Sequence, residues 1–531
     1  MGWDAGFLAK LERAVFSPAV VVESITMATA DAPPGGALAL SSMQLTSYEQ
    51  VLDARSVVLP TEWVDLRTWA WSGGQWSFVA RWRTTTQRET LLDALDRGMP
   101  VQLRMGGAGD DVADYEVMAL GVVEEVVERG NAITVTCWDL LTSLRTRLVR
   151  ASYPIIFGYL NETASATDLT ANYTAGAATL EVSSTSGFQC DADTGVYLIR
   201  VVPTTGDPFL VKATGTATGP TRFTGVTSGQ FGTTAVDAVT GDDVQSVPLF
   251  GGSPGELGRK LLTSTGAGTN GTDDTLPESW GYGLPDDYID ATDMGTWNTA
   301  LGPSAGAHAW TWISATRGDG TWSAPFADEN GVATLQGWLG RVGMWLCMRQ
   351  GQVVLRGVQD LRGGTPEDTG ITITDRDLVS VEDATLDHRD AAQGFEWLKA
   401  RVLTGTGGSS ETGRSTNLTW PLENIYSADL ESVIWDNEAT QRDDYTTRIK
   451  EWYVRVPERL RVRVAGFEYM QLCPGDVVYI ESSLLRGRHV STATLDGTVP
   501  YMVAGKRPGY PVPYVDLDLV TPPADGTDER E

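Results

Sequence analysis

The sequence predicts a mainly β (α+β) fold: two β-barrel domains with strapping helices, a middle α+β region and an inserted small β-module. Three observations lead there. Runs of alternating apolar and polar residues recur in the first 150 residues and again after residue 457. Between about 160 and 247 the composition shifts to Thr, Ala and Gly while short strand-forming runs continue. Helix signals are few, well separated, and capped where they occur.

The first element, within MGWDAGFLAKLERAVF, has Phe7, Leu8, Leu11 and Val15 at helical spacing, and Asp4, Lys10, Glu12 and Arg13 interrupt any apolar core a signal peptide would need. Strands follow at "VQLRM" (101–105) and "AITVTCW" (132–138), where Ile133, Val135 and Cys137 alternate with Thr134, Thr136 and Trp138. Between the early strands lies a helix. Thr86 and Glu89 read as its capping box, Leu91, Leu92 and Leu95 as its apolar face, and Gly98 and Pro100 as its end. The Thr/Ala/Gly-rich module holds "ATLEV" (178–182), "GVYLIRVV" (195–202), "FLVKAT" (209–214) and "RFTGV" (222–226). Helical signals return at Ser253, a candidate N-cap followed by Pro254 and Glu256 and closed by Gly266. A second helix near 329–341 (Val332, Leu335, Trp338, Leu339) leads into a hairpin, "MWLCMR" against "QVVLRGV", turning at Gln350-Gly351.

The longest predicted helix spans roughly 436–455. Trp435, Ile449 and Trp452 are its candidate packing residues and Pro457 is its stop. Strands "RVRVAG", "GDVVYIES" and "YVDLDLV" form the second barrel-like set. The expected domains are 1–160, 161–250, 251–375 and 376–520, with 521–531 a polar, disordered tail.

A net charge of −29 opposes sequence-independent nucleic-acid binding, which rests on Lys and Arg neutralising phosphates. No apolar run approaches the roughly 18 residues of a membrane span, so no stable membrane insertion is expected. Cys137, Cys190, Cys347 and Cys473 form no CxxC pair and read as mostly buried thiols. No cofactor and no catalytic set emerges. Gly266, Gly268 and Gly271 fit G-x-G-x-x-G, but a helix rather than a strand precedes them. "GELGRK" lacks the Lys-Ser/Thr ending of a phosphate loop, and His388-Arg389-Asp390 lacks its downstream Asn. His308, His388 and His489 are the chain's only histidines and offer little for general base work. For a metal, Asp273, Asp274, Asp286, Asp287, Asp290 and Asp293 make a calcium candidate without EF-hand spacing; a solvated acidic loop is the competing reading. Trp63, Trp69, Trp71, Trp76, Trp82 and Trp138 suit either a core or interface role or stacking on sugars.

Two resemblances extend this reading. "ATLEVSSTSGF" (178–188), "GVYLIRV" (195–201), "RFTGV" (222–226), "GQFGTTA" (229–235) and "GDDV" (241–244) resemble a small β-module of tailed-phage virion proteins, with Ala238 where that pattern commonly has His. "GELGRKLLTSTGAGTNGTDDTLPESWGYGLPDDYID" (255–290) and "VPERLRVRVAGFEYMQLCPGDVVYI" (456–480) are similar to segments of siphophage-like baseplate hub or tail-tip proteins. That resemblance implies a structural virion protein rather than an enzyme: a homotrimer with two barrels per subunit at the tail tip. Its implied partners are the distal tail or tail tube protein above, a central fibre or spike below, and the tape-measure protein. It would serve host attachment and DNA ejection, with phage DNA passing through without specific binding. A receptor- or glycan-binding tail protein, or a cell-wall-degrading tail enzyme, are the alternatives.

Overall fold

The structure, a computed structural model, describes residues 18–26, 39–46, 52–65, 70–107, 111, 114–146 and 166–251 (without 189, 192–194, 230–233 and 248), short pieces between 259 and 340, then 343–358, 368–386, 394–403, 409–415, 425–429, 434–436 and 458–521 (without 484, 486–494 and 511–513). It is mainly β. The N-terminal half-barrel is a curled antiparallel sheet in the order Ala39–Thr46, Pro18–Thr26, Pro100–Gly107, Glu116–Arg129, Ala132–Asp139, Gln75–Arg81 and Leu52–Val58. Alternation sets its inner face: Ile133, Val135 and Cys137 are fully buried, and their register partners Ala80, Phe78 and Trp76 are buried with them. Trp76 stacks on Phe78 with ring centroids 5.9 Å apart.

The strapping helix is Thr85–Ala94, and Leu91 and Leu95 anchor it to the core as expected. Its cap lies two residues before the predicted one. Thr84 Oγ1 accepts from Gln87 N–H at 3.2 Å, while Gln87 Oε1 accepts from Arg83 N–H at 2.9 Å. Three consecutive threonines each offered a hydroxyl, and Gln87 reaching back selects the first.

The module's strands predicted at 178–182, 195–202, 209–214 and 222–226 form, and further short strands that the sequence did not place join them. Ala166–Asp168, Asp243–Val247, Val196–Val202, Phe209–Ala213 and Thr227–Ser228 make one sheet; Thr179–Glu181, Arg222–Thr224 and Gly215–Ala217 make another. They enclose their own hydrophobic cluster around Phe188, Phe209 and Phe223. Ala238 belongs to that cluster and bonds in both directions with the backbone of Tyr173 at 2.8 and 2.9 Å. Asp242 of "GDDV" clamps the loop by accepting from Val239 N–H at 2.7 Å and Thr204 N–H at 3.0 Å.

Arg259 and Leu262, and Gln336, Leu339 and Gly340, are the described residues of the two middle helices, and all are helical. Leu249–Gly251, Thr311–Ile313, Ile434–Asp436, Gly394–Leu403, Ser409–Ser415 and Ile425–Asp429 form a mixed sheet. Here the sequence reading needs correction: Trp435 lies on a strand, parallel to and in register with Val402, not at the head of a helix. A β-branched and aromatic pair, Ile434-Trp435, takes the pairing on offer from Gly394–Leu403, and helical periodicity does not compete with that ladder. Ile449, Trp452 and the rest of the 437–457 segment lie outside the described residues, as does the tail beyond Thr521.

The C-terminal half-barrel runs Asp368–Thr374, Val477–Ser482, Leu495–Pro508, Tyr514–Thr521, Glu458–Ala465 and Leu378–Leu386. A segment from the other end of the chain joins it: Glu62–Asp65 pairs with its longest strand through Trp63↔Gly505 and Glu62↔Lys506. The inner faces of the two half-barrels share one continuous core, reaching from Trp76 and Val101 to Val503 and Leu519.

Because Ala166 and Gln245 are register partners, the module's ends leave it side by side. Replacing it with a short Gly/Ser bridge from Glu162 to Val247 is therefore expected to leave a soluble protein with a cooperative thermal transition. Aggregation of the deletion protein would place the module in the main core.

Candidate functional site at the junction of the half-barrels

Three segments far apart in sequence meet where the half-barrels join. The first is the hairpin Met344–Arg349/Gln352–Gly357, whose two strands are buried almost throughout. Its turn residues Gln350 and Gly351 have φ of 51° and 79°, the left-handed pair that a two-residue hairpin requires. A Cβ on Gly351 would stand 2.7 Å from Val117 Cγ1, so only glycine lets this tip lie against the N-terminal sheet. The second segment is the turn Cys473-Pro474-Gly475-Asp476 between the short 3₁₀ helix Glu468–Gln471 and the strand Val477–Ser482. The third is the strand Glu62–Asp65.

Arg356 of the hairpin and Asp476 of the turn have no solvent contact, and Arg356 Nη2 donates to Asp476 Oδ1 at 3.2 Å. Arg356 Nε reaches the same oxygen at 3.3 Å, and Cys473 N–H donates to the other at 2.9 Å. Burial alone would raise the Asp476 carboxyl. The Arg349 and Arg356 guanidiniums and the Cys473 N–H outweigh it and hold the group below the usual carboxylate range. Trp345 Nε1–H donates to the Pro474 carbonyl at 3.3 Å, which pins the hairpin to the turn a second time. Gly475 has φ of 108°, and its missing Cβ leaves room for the Arg356 stem, which a Cβ would meet at 2.8 Å. The turn is tied in its own sheet by Gly475 N–H to Val503 O and Val503 N–H to Asp476 O, both at 2.8 Å.

Beside this pair, Glu62, Trp76, Asp139, Gln350, Gln471 and Lys506 line a narrow cleft. Glu62 is buried, and its Oε2 lies 3.6 Å from Lys506 Nζ without a hydrogen-bond partner. Burial raises its pKa to about 7: Lys506 pulls it down, and Asp139 and Asp476 push it up. Asp139 caps the helix Leu140–Thr146 by accepting from Thr142 N–H at 2.9 Å.

Of the residues the sequence singled out, only a few come here. Asp290 is buried and its N–H donates to Val353 O of the hairpin at 3.1 Å; Asp273, Asp274, Asp286, Asp287 and Asp293 lie outside the described residues, as do all three histidines. Among the described residues no three His, Cys, Asp or Glu side chains are grouped to hold a metal ion. Trp71 and Trp76 are core residues, Trp82 packs partly buried against the core, and Trp63 stands 48% exposed. Cys137, Cys347 and Cys473 are buried and unbridged, and Cys190 is half-buried. Sequence reasoning located the hairpin and the "GDVVYI" strand, yet missed Arg356, Asp476, Glu62 and Lys506 as partners. The available signals were an Arg inside an otherwise apolar hairpin strand and an Asp directly after a Pro-Gly turn.

No family model matches the chain, and no curated protein matches it. Solved structures do. The tail protein from Neisseria meningitidis aligns over 95% of this chain and 96% of its own, with 9% identity and a TM-score of 0.38. The 43 kDa tail protein of prophage MuSo2 from Shewanella oneidensis aligns over 95% and 99%, with 9% identity and a TM-score of 0.35. A prophage tail protein from Listeria monocytogenes aligns over 94% of each chain, with 9% identity and a TM-score of 0.35. The chain's structural neighbours are thus phage-type tail proteins.

Two outcomes follow from the junction. Asp476→Asn strands the Arg356 charge in the core and is expected to cost about 3–5 kcal/mol, read from the denaturant midpoint; the double change Arg356→Met, Asp476→Leu should cost less than either single change. The second concerns pH. Glu62 titrates higher in the folded chain than its unfolded value of about 4.3, so the native state holds the extra proton between these values. Its contribution to stability therefore falls as pH rises from about 4.5 to 7 and is constant above. Thermal melts across that range should show a decline in the wild type that Glu62→Gln reduces; parallel curves would contradict the assignment.

Proposed function

We propose that this chain is a structural component of a phage-type tail, the hub at the tail tip, and has no catalytic activity of its own. Three copies would form a ring in which the two half-barrels of each subunit give a pseudo-sixfold outline, joining the tail tube to a distal fibre or spike and gating the DNA conduit. The observation that carries the reading is the way the half-barrels are fused: a shared core and an N-terminal strand in the C-terminal sheet, with a buried ion pair locking the hairpin to the C-terminal turn. A ring that holds a tail shut needs subunits that transmit load without internal hinging, and a junction of this kind would suit that. The motifs at 178–244, 255–290 and 456–480 support the same reading. The charge of −29 suits a wall past which DNA slides without adhering. We take residues 161–250 as a peripheral domain of that ring, and Ile449 and Trp452 as packing residues of a strap beside the second barrel.

Electron microscopy of the purified protein should show threefold rings, and labelled antibody should place it at the tail tip of intact virions. Incubation with peptidoglycan and with ester or glycoside probes should release nothing above background. Turnover abolished by a single carboxylate substitution would overturn the structural reading in favour of a cell-wall-degrading enzyme.

A further inference from the structure

Two buried polar atoms of the junction have no hydrogen-bond partner among the described residues: Glu62 Oε2 and Trp76 Nε1. Glu62 is 5% exposed and Trp76 not at all. A buried donor or acceptor left dry carries its full desolvation cost, so folded proteins pair such groups with protein atoms or with ordered water. The two residues come from different sheets. Trp76 sits in the N-terminal sheet opposite Cys137, and Glu62 in the strand that pairs with the C-terminal sheet at Lys506.

Both line the same narrow cleft, whose cavity measures about 20 Å³. A water needs roughly 10–15 Å³ of such space, so one fits and an organic ligand does not. Gly121 keeps the indole nitrogen uncovered, because a Cβ at that position would stand 2.7 Å from Trp76 Nε1.

The charges around the cavity select what enters. Lys506 Nζ lies 3.6 Å from Glu62 Oε2 and donates to Met470 O at 3.3 Å, so an added cation would meet an ammonium. An added anion would meet the carboxyl groups of Glu62 and Asp139 in the cleft wall, with Asp476 near by. A neutral donor and acceptor avoids both conflicts. Water also suits Glu62 in either protonation state: it accepts from the neutral carboxyl or donates to the carboxylate, and a lone pair takes the indole N–H in both cases. With the Glu62 pKa raised to about 7, both states are populated near neutrality.

We propose that this cavity is a hydration site: one ordered water accepts from Trp76 Nε1–H and bridges it to Glu62 Oε2, tying the strand Glu62–Asp65 to the N-terminal sheet. The site belongs to the single subunit, so its test is independent of the hub reading.

A crystal structure of the full chain at neutral pH should show one water peak within about 3.2 Å of both Trp76 Nε1 and Glu62 Oε2. A dry cavity, a direct bond between the indole and the carboxyl, or an ion in place of the water would overturn the proposal. Glu62→Gln keeps both a donor and an acceptor and should retain the peak. In solution, Trp76→Phe and Glu62→Leu each remove one end of the bridge. The double variant should therefore lose clearly less in denaturation midpoint than the two single losses added together. Additive losses would contradict a shared water. Should Trp76→Phe fail to fold, the density in the wild type and in Glu62→Gln decides.

Discussion

Arg356 and Asp476 meet with no water around either, and most of what is distinctive in this fold is arranged so that they can. A buried guanidinium costs several kcal/mol to desolvate, and a carboxylate costs as much again. The pair has further partners: Cys473 donates to the carboxylate, Leu355 O accepts from Arg356 Nη1, and the missing Gly475 side chain leaves room for the arginine stem. Replacing such a pair by apolar residues is often neutral or stabilising, so its expected contribution is to register more than to net stability. An apolar hairpin could slide on an apolar turn. One that must place Arg356 against Asp476 has a single register.

That register propagates. With the hairpin fixed, its tip lies on the N-terminal sheet at Val117 and its flank receives the bridge from Ile289 to Val353. The strand Glu62–Asp65 closes the arrangement from the opposite side, with Glu62 facing in toward Lys506 and Trp63 facing out. Two consecutive residues of one strand thus face the two sides of the seam. The inward residue is a carboxyl whose burial raises its pKa to about 7; the outward one lies open on the outer face of the C-terminal sheet.

Local elements were legible because local physics decides them. Alternation at 132–138, the Gln350-Gly351 turn and the Leu91/Leu95 face each lie within one element. Long-range partnership was not. Arg356 and Asp476 are 120 residues apart, and Glu62 and Lys506 lie near opposite ends of the chain. No periodicity reports a contact of that separation. The shift of the helix cap from Thr86 to Thr84 and the appearance of Trp435 on a strand have a related cause: a local signal had near-equal rivals, and partners elsewhere chose between them. Tryptophan-rich sequence at 63–82 announced buried or interfacial aromatics without distinguishing them; only the fold separates core Trp71 and Trp76 from exposed Trp63.

If the two half-barrels and the hairpin are a single mechanical body, they must open together. Native-state hydrogen exchange on the intact chain measures this directly, through the amides of Val123, Val354 and Val503, which report on the N-terminal sheet, the hairpin and the C-terminal sheet. A common opening free energy, falling by the same amount at all three sites when Arg356 or Asp476 is replaced, is the predicted result. Opening free energies that differ between the sheets, with the substitution felt on one side alone, would contradict it.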